Sequence, residues 1–238
     1  MAPLVAIVGA DGAGKSTTAH YLCSVITESQ YAYLGLGSAA IGLRIRQWPV
    51  IGRRFERYLS AKARRARTPG KPMMGVVTAL VIFMFARLRQ RRFLRAMQHR
   101  EAGKLVICDR YPQVQVAGLN DGPGLGAGTC RGWLVRWLAR LERDLYTAMA
   151  HIPPTLVIRL HIDAQTAWSR KPDHDFELIQ QKIATLSTLT YEGARVVEVD
   201  ARLPEAQVRA ICLRFIENLM EQGACQASKP SAQDLQLD

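Results

Sequence analysis

The sequence predicts a three-layer α/β fold built on a parallel sheet. Three observations predict it. Short apolar runs recur along the chain, each followed by a longer segment of helical character. The first run leads directly into a glycine-rich turn, Gly9-Ala-Asp-Gly-Ala-Gly14, and then into a helix. That turn, Asp109 and Asp163 all fall at the carboxyl ends of expected strands, where ligands bind in such sheets.

Residues 3–8 are a buried strand, and 16–28 the first helix. Residues 31–34 form a weak second strand, closed by Gly35 and Gly37. Residues 40–70 read as one or two basic helices, broken near Pro49 and ended by Pro69-Gly70. Residues 73–102 are one long helix, with an apolar and therefore buried first half and an Arg-rich second half. Residues 104–108 are a strand ending at Asp109, and the glycine-rich stretch 118–128 is an exposed loop. The helix at 131–150 carries Trp133, Trp137 and Leu141 on one face. A strand follows at 155–162, then helices at 164–171 and 175–191 around the polar turn Lys171-Pro-Asp-His-Asp175. The last strand is 195–199 and the last helix 204–221. Residues 1–221 thus form a single domain with a basic helical insertion at 38–74, and the polar tail 222–238 is expected to be disordered.

With 238 residues, 48% of them apolar, the chain suits one domain with a sizeable core. Its five cysteines are odd in number and show no CxxC spacing, which is the usage of a reducing compartment. No secretory signal is visible. The longest apolar run, Met73 to Ala86, is 14 residues, short of the roughly 20 that a spanning helix needs. A cytoplasmic protein is expected, with peripheral contact at the inner membrane face left open.

Residues 9–16 match GxxxxGK[ST] at Gly9, Gly14, Lys15 and Ser16. The glycines let the backbone curl so that its N–H groups face phosphate oxygens, and the helix that follows adds its positive end. Lys15 then reaches the terminal phosphates and the Ser16 hydroxyl ligates Mg²⁺. No guanine-reading [NT]KxD element exists; Asp121-Gly-Pro-Gly124 matches only the weak DxxG pattern. Asp11, a carboxylate beside a triphosphate, reads either as a turn residue or as a partner for an acceptor substrate. Asp109 at a strand end can hold the water shell of Mg²⁺. Arg110 reads as a ligand for an acceptor phosphate or the transferring group, or as a structural ion pair.

Gly-Ala-Asp-Gly-Ala-Gly-Lys-Ser-Thr-Thr18, Ala-Gly-Lys-Leu-Val-Ile-Cys-Asp-Arg-Tyr111 and Val-Glu-Val-Asp-Ala201 resemble the thymidylate kinases, a family of P-loop NTPase fold. The resemblance covers residues 3–35, about 75–117 and 153–218. It implies a five-stranded parallel sheet in the order 2-3-1-4-5, a lid over the phosphates, ATP and Mg²⁺ as cofactors, and phosphoryl transfer to a small-molecule acceptor. It assigns Gly9, Ala10, Asp11, Gly12, Ala13, Gly14, Lys15, Ser16 and Thr17 to the nucleotide, with Asp200 and Ala201 near adenine. Ser16 and Asp109 would hold the metal. Lys15, Asp109, Arg110 and the lid residue Arg170 would be catalytic. Asp11, Phe83, Arg87, Arg110 and Tyr111 would contact the acceptor.

The departures cluster on the acceptor side. Tyr33-Leu-Gly-Leu-Gly37 replaces the Arg-Glu-Pro-Gly element of that family, Pro112-Gln-Val-Gln-Val replaces its Tyr-Gln pair, and His161 stands where Asp is common. Three functions therefore stay open: a kinase for a dTMP-like nucleoside monophosphate or related phosphorylated molecule, a kinase for a sugar or lipid-linked saccharide in polysaccharide biosynthesis, and an ATP-binding adaptor. The family often pairs through a helix face, so a homodimer is also open.

Residues 44–100 hold 16 Lys and Arg against one acid, Glu56, whereas the whole chain carries only +12. All the excess positive charge thus belongs to one segment. It reads as a solvated helical insertion, as a docking surface for a membrane or another anionic partner, or as a nucleic-acid surface. No recognised motif supports the last.

Overall fold

The computed structural model describes residues 1–35, 75–127 and 132–227. The 38–74 insertion, the end of the glycine-rich loop and residues 228–238 of the tail lie outside the described residues.

Five strands form one all-parallel sheet: β1 (Leu4–Gly9), β2 (Ser29–Tyr33), β3 (Leu105–Asp109), β4 (Leu156–His161) and β5 (Arg195–Asp200), in the order β2-β3-β1-β4-β5. The expected order is correct. β1 is central, pairing Val5 with Ile107 on one side and with Leu156 on the other. It is accordingly apolar throughout, as a strand covered on both faces must be.

Six α-helices among the described residues cover the sheet: α1 (Lys15–Val25), α2 (Val76–Glu101), α3 (Trp133–Ala150), α4 (Ala164–Arg170), α5 (Phe176–Thr188) and α6 (Glu205–Ala227). Alternate strand residues feed two cores. Val5, Ile7, Ile107, Ile158 and Leu160 meet Ala19 and Leu22 of α1 and Cys212 and Ile216 of α6. Ala6, Val8, Val106 and Val157 meet Phe93 and Ala96 of α2 and Tyr146 and Met149 of α3. A third cluster, of Ala79, Leu125, Val135 and Leu138, joins the first halves of α2 and α3.

Several expectations change in three dimensions. The first half of α2 is only partly buried: Val76, Val77, Leu80 and Met84 are exposed. Trp133 and Trp137 are exposed too, because α3 packs through Val135, Leu138, Tyr146 and Met149 instead. The glycine-rich loop is not simply exposed. Leu125 is fully buried, and the buried Glu142 of α3 accepts hydrogen bonds from the Gly124 and Leu125 N–H groups. Helix α5 stops at Thr188, where Arg159 of β4 donates to the Ser187 and Leu189 carbonyls. The last helix runs to Ala227, six residues beyond the expected end. No helix among the described residues is long and apolar enough to cross a membrane.

Candidate active site

β1 hands the chain to the phosphate loop, and the loop hands it to α1. Gly12 and Gly14 take positive φ values of 89° and 84°, open to glycine at little cost. Gly12 also lies against α4: a Cβ there would sit 2.7 Å from the Ala167 carbonyl. The loop and α4 are therefore packed backbone to backbone.

Lys15 is buried, and its Nζ donates to the Ala10 carbonyl at 2.7 Å. Burial pushes its pKa down to about 8, helped by the Arg110 guanidinium. The Ser16 hydroxyl donates to Asp109 Oδ2 at 2.5 Å, and the Tyr31 hydroxyl donates to the same oxygen at 3.1 Å. Asp109 Oδ1 is buried without a hydrogen-bond partner. A buried carboxylate oxygen left unpaired is costly, so this atom is poised for a ligand. Thr17 is exposed on the first turn of α1.

Helix α4 is capped by Asp163, which accepts from the Thr166 N–H at 2.8 Å. At its other end Arg170 donates to the Ala201 carbonyl at 3.0 Å and to the Gly12 carbonyl at 3.3 Å. One guanidinium so ties α4, the phosphate loop and the turn after β5 together. Asp200 holds Arg202. A cavity of about 530 Å³ runs from Ala10 to Asp200 along the ends of β4 and β5, under α5.

The other side of the loop is a chain of charges. Arg110 follows β3 with φ of 74°, a conformation that a non-glycine residue adopts only under constraint. Its guanidinium donates to Asp11 Oδ1 at 3.1 Å and lies 3.6 Å from Asp121. Asp121 is held in turn by Arg89 at 2.7 Å. The Arg89 side chain is fully buried and also bonds the Tyr146 hydroxyl at 3.1 Å. Lys182 of α5 donates to the second oxygen of Asp11, with His174 Nδ1 3.7 Å away. Asn120 ties the glycine-rich loop to the Lys182 carbonyl at 2.8 Å. Burial alone would raise both carboxyls. The cations outweigh it, holding Asp11 far below the ordinary carboxylate range and Asp121 below its usual value. Asp121 keeps Arg110 firmly protonated.

The structure therefore places Asp11, Lys15, Ser16, Asp109, Arg110 and Arg170 around the phosphate loop. It does not bring the other three expected acceptor residues to this point. Tyr111 is in the core, its hydroxyl on the Ile152 carbonyl and its ring edge-on to Phe93. Phe83 packs with the third cluster. Arg87 faces outward and bonds Gln90 at 2.9 Å. The arginine of α2 that reaches the site is Arg89. Its signal was present: it is the one charged residue in the stripe Ala86, Arg89, Phe93, Ala96. Asp121 was visible only as a weak guanine-loop match. Lys182 had no signal, because its partner lies 171 residues away.

No known family profile matches the chain. It is 41% identical to the uncharacterized ATP-binding protein YghS of Escherichia coli K12 over 217 residues, covering 90% of this chain and 92% of that one. It is 37% identical to the uncharacterized ATP-binding protein YghR of the same strain, covering 86% and 83%. The chain belongs to the YghS and YghR family. Among solved structures, a deoxyadenosine kinase from M. mycoides with dCMP and a flexible dCDP superposes with a TM-score of 0.52 at 14% identity, covering 90% of this chain and 99% of that one. The α/β architecture is thus one found in a P-loop kinase.

Proposed function

We propose that this protein is an ATP-dependent kinase that transfers the γ-phosphoryl group to a hydroxyl of a small acceptor of the nucleoside or sugar class. The observation that carries the acceptor reading is the ionised Asp11 carboxylate, fixed between Arg110 and Lys182 at the mouth of the phosphate loop. An ionised carboxylate only accepts hydrogen bonds. It suits a hydroxyl, which offers a proton, and repels a phosphate dianion, which offers none. The names of the relatives and the architecture shared with a deoxyadenosine kinase support ATP and phosphoryl transfer.

The residues present fit Mg²⁺. Ser16 and Asp109 would hold it, with the unpaired Asp109 Oδ1 as the observation in favour. When bound, it neutralises charge on the phosphate oxygens. The loop N–H groups and Lys15 seat the phosphates. Arg110 and Arg170 stand on either side of the loop and offset negative charge that spreads over the transferred group. Asp11 orients the acceptor hydroxyl in line with the γ-phosphorus. The bond from the acceptor oxygen to phosphorus forms as the bond to the β,γ-bridging oxygen breaks, and the hydroxyl proton leaves to solvent, Asp11 being held ionised by its cations.

A second reading keeps a nucleoside monophosphate of the thymidylate type as acceptor. It is favoured by the Arg110 side chain being 27% exposed, which leaves part of its fork open to a phosphate.

Labelled ATP offered with nucleosides, nucleoside monophosphates and sugars tests these readings. Label on nucleosides or sugars is expected. Label on monophosphates alone would replace the lead by the second reading. ATP binding without transfer to any acceptor would make the protein an adaptor.

A further inference from the structure

Two of the largest apolar side chains lie on the outside of the molecule. Trp133 is 74% exposed and Trp137 is 51% exposed. Four residues apart on α3, they share one helix face. The same face continues with Arg136, Arg140 and Arg143, all exposed. Helix α2 repeats the layout: Val76, Leu80 and Met84 are followed along one exposed stripe by Arg87, Arg91 and Arg95.

The two helices pack side by side and run the same way. Ala79 shares a cluster with Val135 and Leu138, and Phe93 shares one with Tyr146 and Met149. In their second halves both helices bury their opposite face toward the sheet, so the arginine-bearing stripes look outward together, while the first halves bury Ala79, Val135 and Leu138 against each other and leave Val76, Leu80, Met84, Trp133 and Trp137 exposed. Each also leads into a parallel strand, and so begins at the carboxyl edge of the sheet, where the phosphate loop lies. Arg89 stands level with Asp121 and Arg110; the turns of α2 before it extend about 20 Å beyond that point.

We propose that this α2–α3 face docks on an anionic lipid bilayer. The apolar tips, Val76, Leu80 and Met84 with Trp133 and Trp137, enter the headgroup region, and the arginines behind them meet lipid phosphates. Charge selects this occupant. The exposed stripes carry six arginines against two acids, Glu101 and Asp144. A second copy across a two-fold axis would set this cationic surface against itself. The segment 36–74 carries ten basic residues and one acid, so it has the same sign and does not complement the face either. An anionic membrane complements both the charge and the tryptophans.

The test is co-sedimentation of the full chain, without nucleotide, with phosphatidylcholine vesicles that do or do not contain phosphatidylglycerol. Its outcome is independent of the kinase reading. Binding is expected only with phosphatidylglycerol, weakening as salt rises. The triple variant R136E/R140E/R143E is expected to bind more than about tenfold more weakly. The double variant W133S/W137S is expected to lose binding to a similar degree and to abolish any blue shift of tryptophan emission on vesicles. Arg214→Glu, exposed on α6 across the sheet, leaves binding unchanged. All these side chains are exposed, and unchanged thermal unfolding confirms that the variants fold. Anionic-vesicle binding that survives both face variants would overturn the proposal. So would no binding to any vesicle, or a dimer that the same variants dissociate while vesicle binding stays intact.

Discussion

The half of the site that we propose holds the donor is assembled from neighbours. Residues 9–16 are contiguous, and Asp109 stands one strand away, on a strand paired with β1. The half proposed for the acceptor is assembled from strangers: Asp11 from the loop, Arg89 from α2, Arg110 after β3, Asp121 from the glycine-rich loop and Lys182 from α5. The donor half leaves an atom unpaired, Asp109 Oδ1. The acceptor half pairs both its carboxylates with cations. A cradle made of backbone awaits its ligand, whereas a chain of side-chain ions must be held in place by the whole fold. The donor half therefore changes little with the details of packing, and the acceptor half is where relatives can diverge.

The sharpest way to break the donor half is Lys15→Ala. It removes the ammonium that meets the terminal phosphates, and transfer is expected to fall about 10³-fold with little change in unfolding temperature. Activity that survives this change would mean that the loop is not the donor site. The acceptor half answers in stability. Arg89→Met leaves Asp121 without its nearest cation and is expected to cost about 3 kcal/mol in a urea titration. Adding Asp121→Asn is expected to recover part of that loss, because the remaining carbonyl and amide need no counterion. If the two changes are simply additive, the ion chain is not a unit.

The pH dependence separates the halves at intermediate scale. Lys15, at about 8, loses its proton in the empty protein above that pH, whereas bound phosphates require the ammonium. ATP affinity is therefore expected to fall about tenfold per pH unit above pH 8, as read by calorimetry. Stability of the empty chain moves the opposite way. The unfolded chain keeps this proton up to the ordinary lysine value of 10.5, so Lys15 adds stability as pH rises from about 8 toward 10.5. A Lys15→Met variant should lack both trends. The smallest effect is expected at Tyr31→Phe, which removes one of two hydrogen bonds to Asp109 Oδ2 and should cost about 1.5 kcal/mol. A larger loss would show that Tyr31, and not Ser16, fixes the Asp109 carboxylate.

The same contrast explains what was legible in the chain. Gly9 to Ser16 can be read because a phosphate cradle needs a fixed local spacing of glycines, a lysine and a hydroxyl. Asp109 and Arg110 can be read because they close an apolar run. Phe83 and Arg87 were expected near the acceptor by resemblance alone, yet a helix rotates by 100° per residue. Two positions decide whether an arginine meets Asp121, as Arg89 does, or meets water, as Arg87 does. Trp133 and Trp137 share one face in sequence, but periodicity marks only a shared face, not which face is buried. The competing stripe of Val135, Leu138 and Tyr146 is the one buried, against α2 and the glycine-rich loop at its start and against the sheet at Tyr146.

By itself, the sequence determined the parallel sheet, the phosphate loop and the strand ends that surround it, since each depends on short-range patterns of apolar runs and glycines. Only the tertiary structure decided that Arg89 and Lys182 reach Asp121 and Asp11, that the glycine-rich loop is pinned by Glu142, and that two tryptophans and six arginines face outward together. Those outcomes depend on how helices rotate and pack across separations of 17 to 171 residues. No local pattern of residues encodes that rotation.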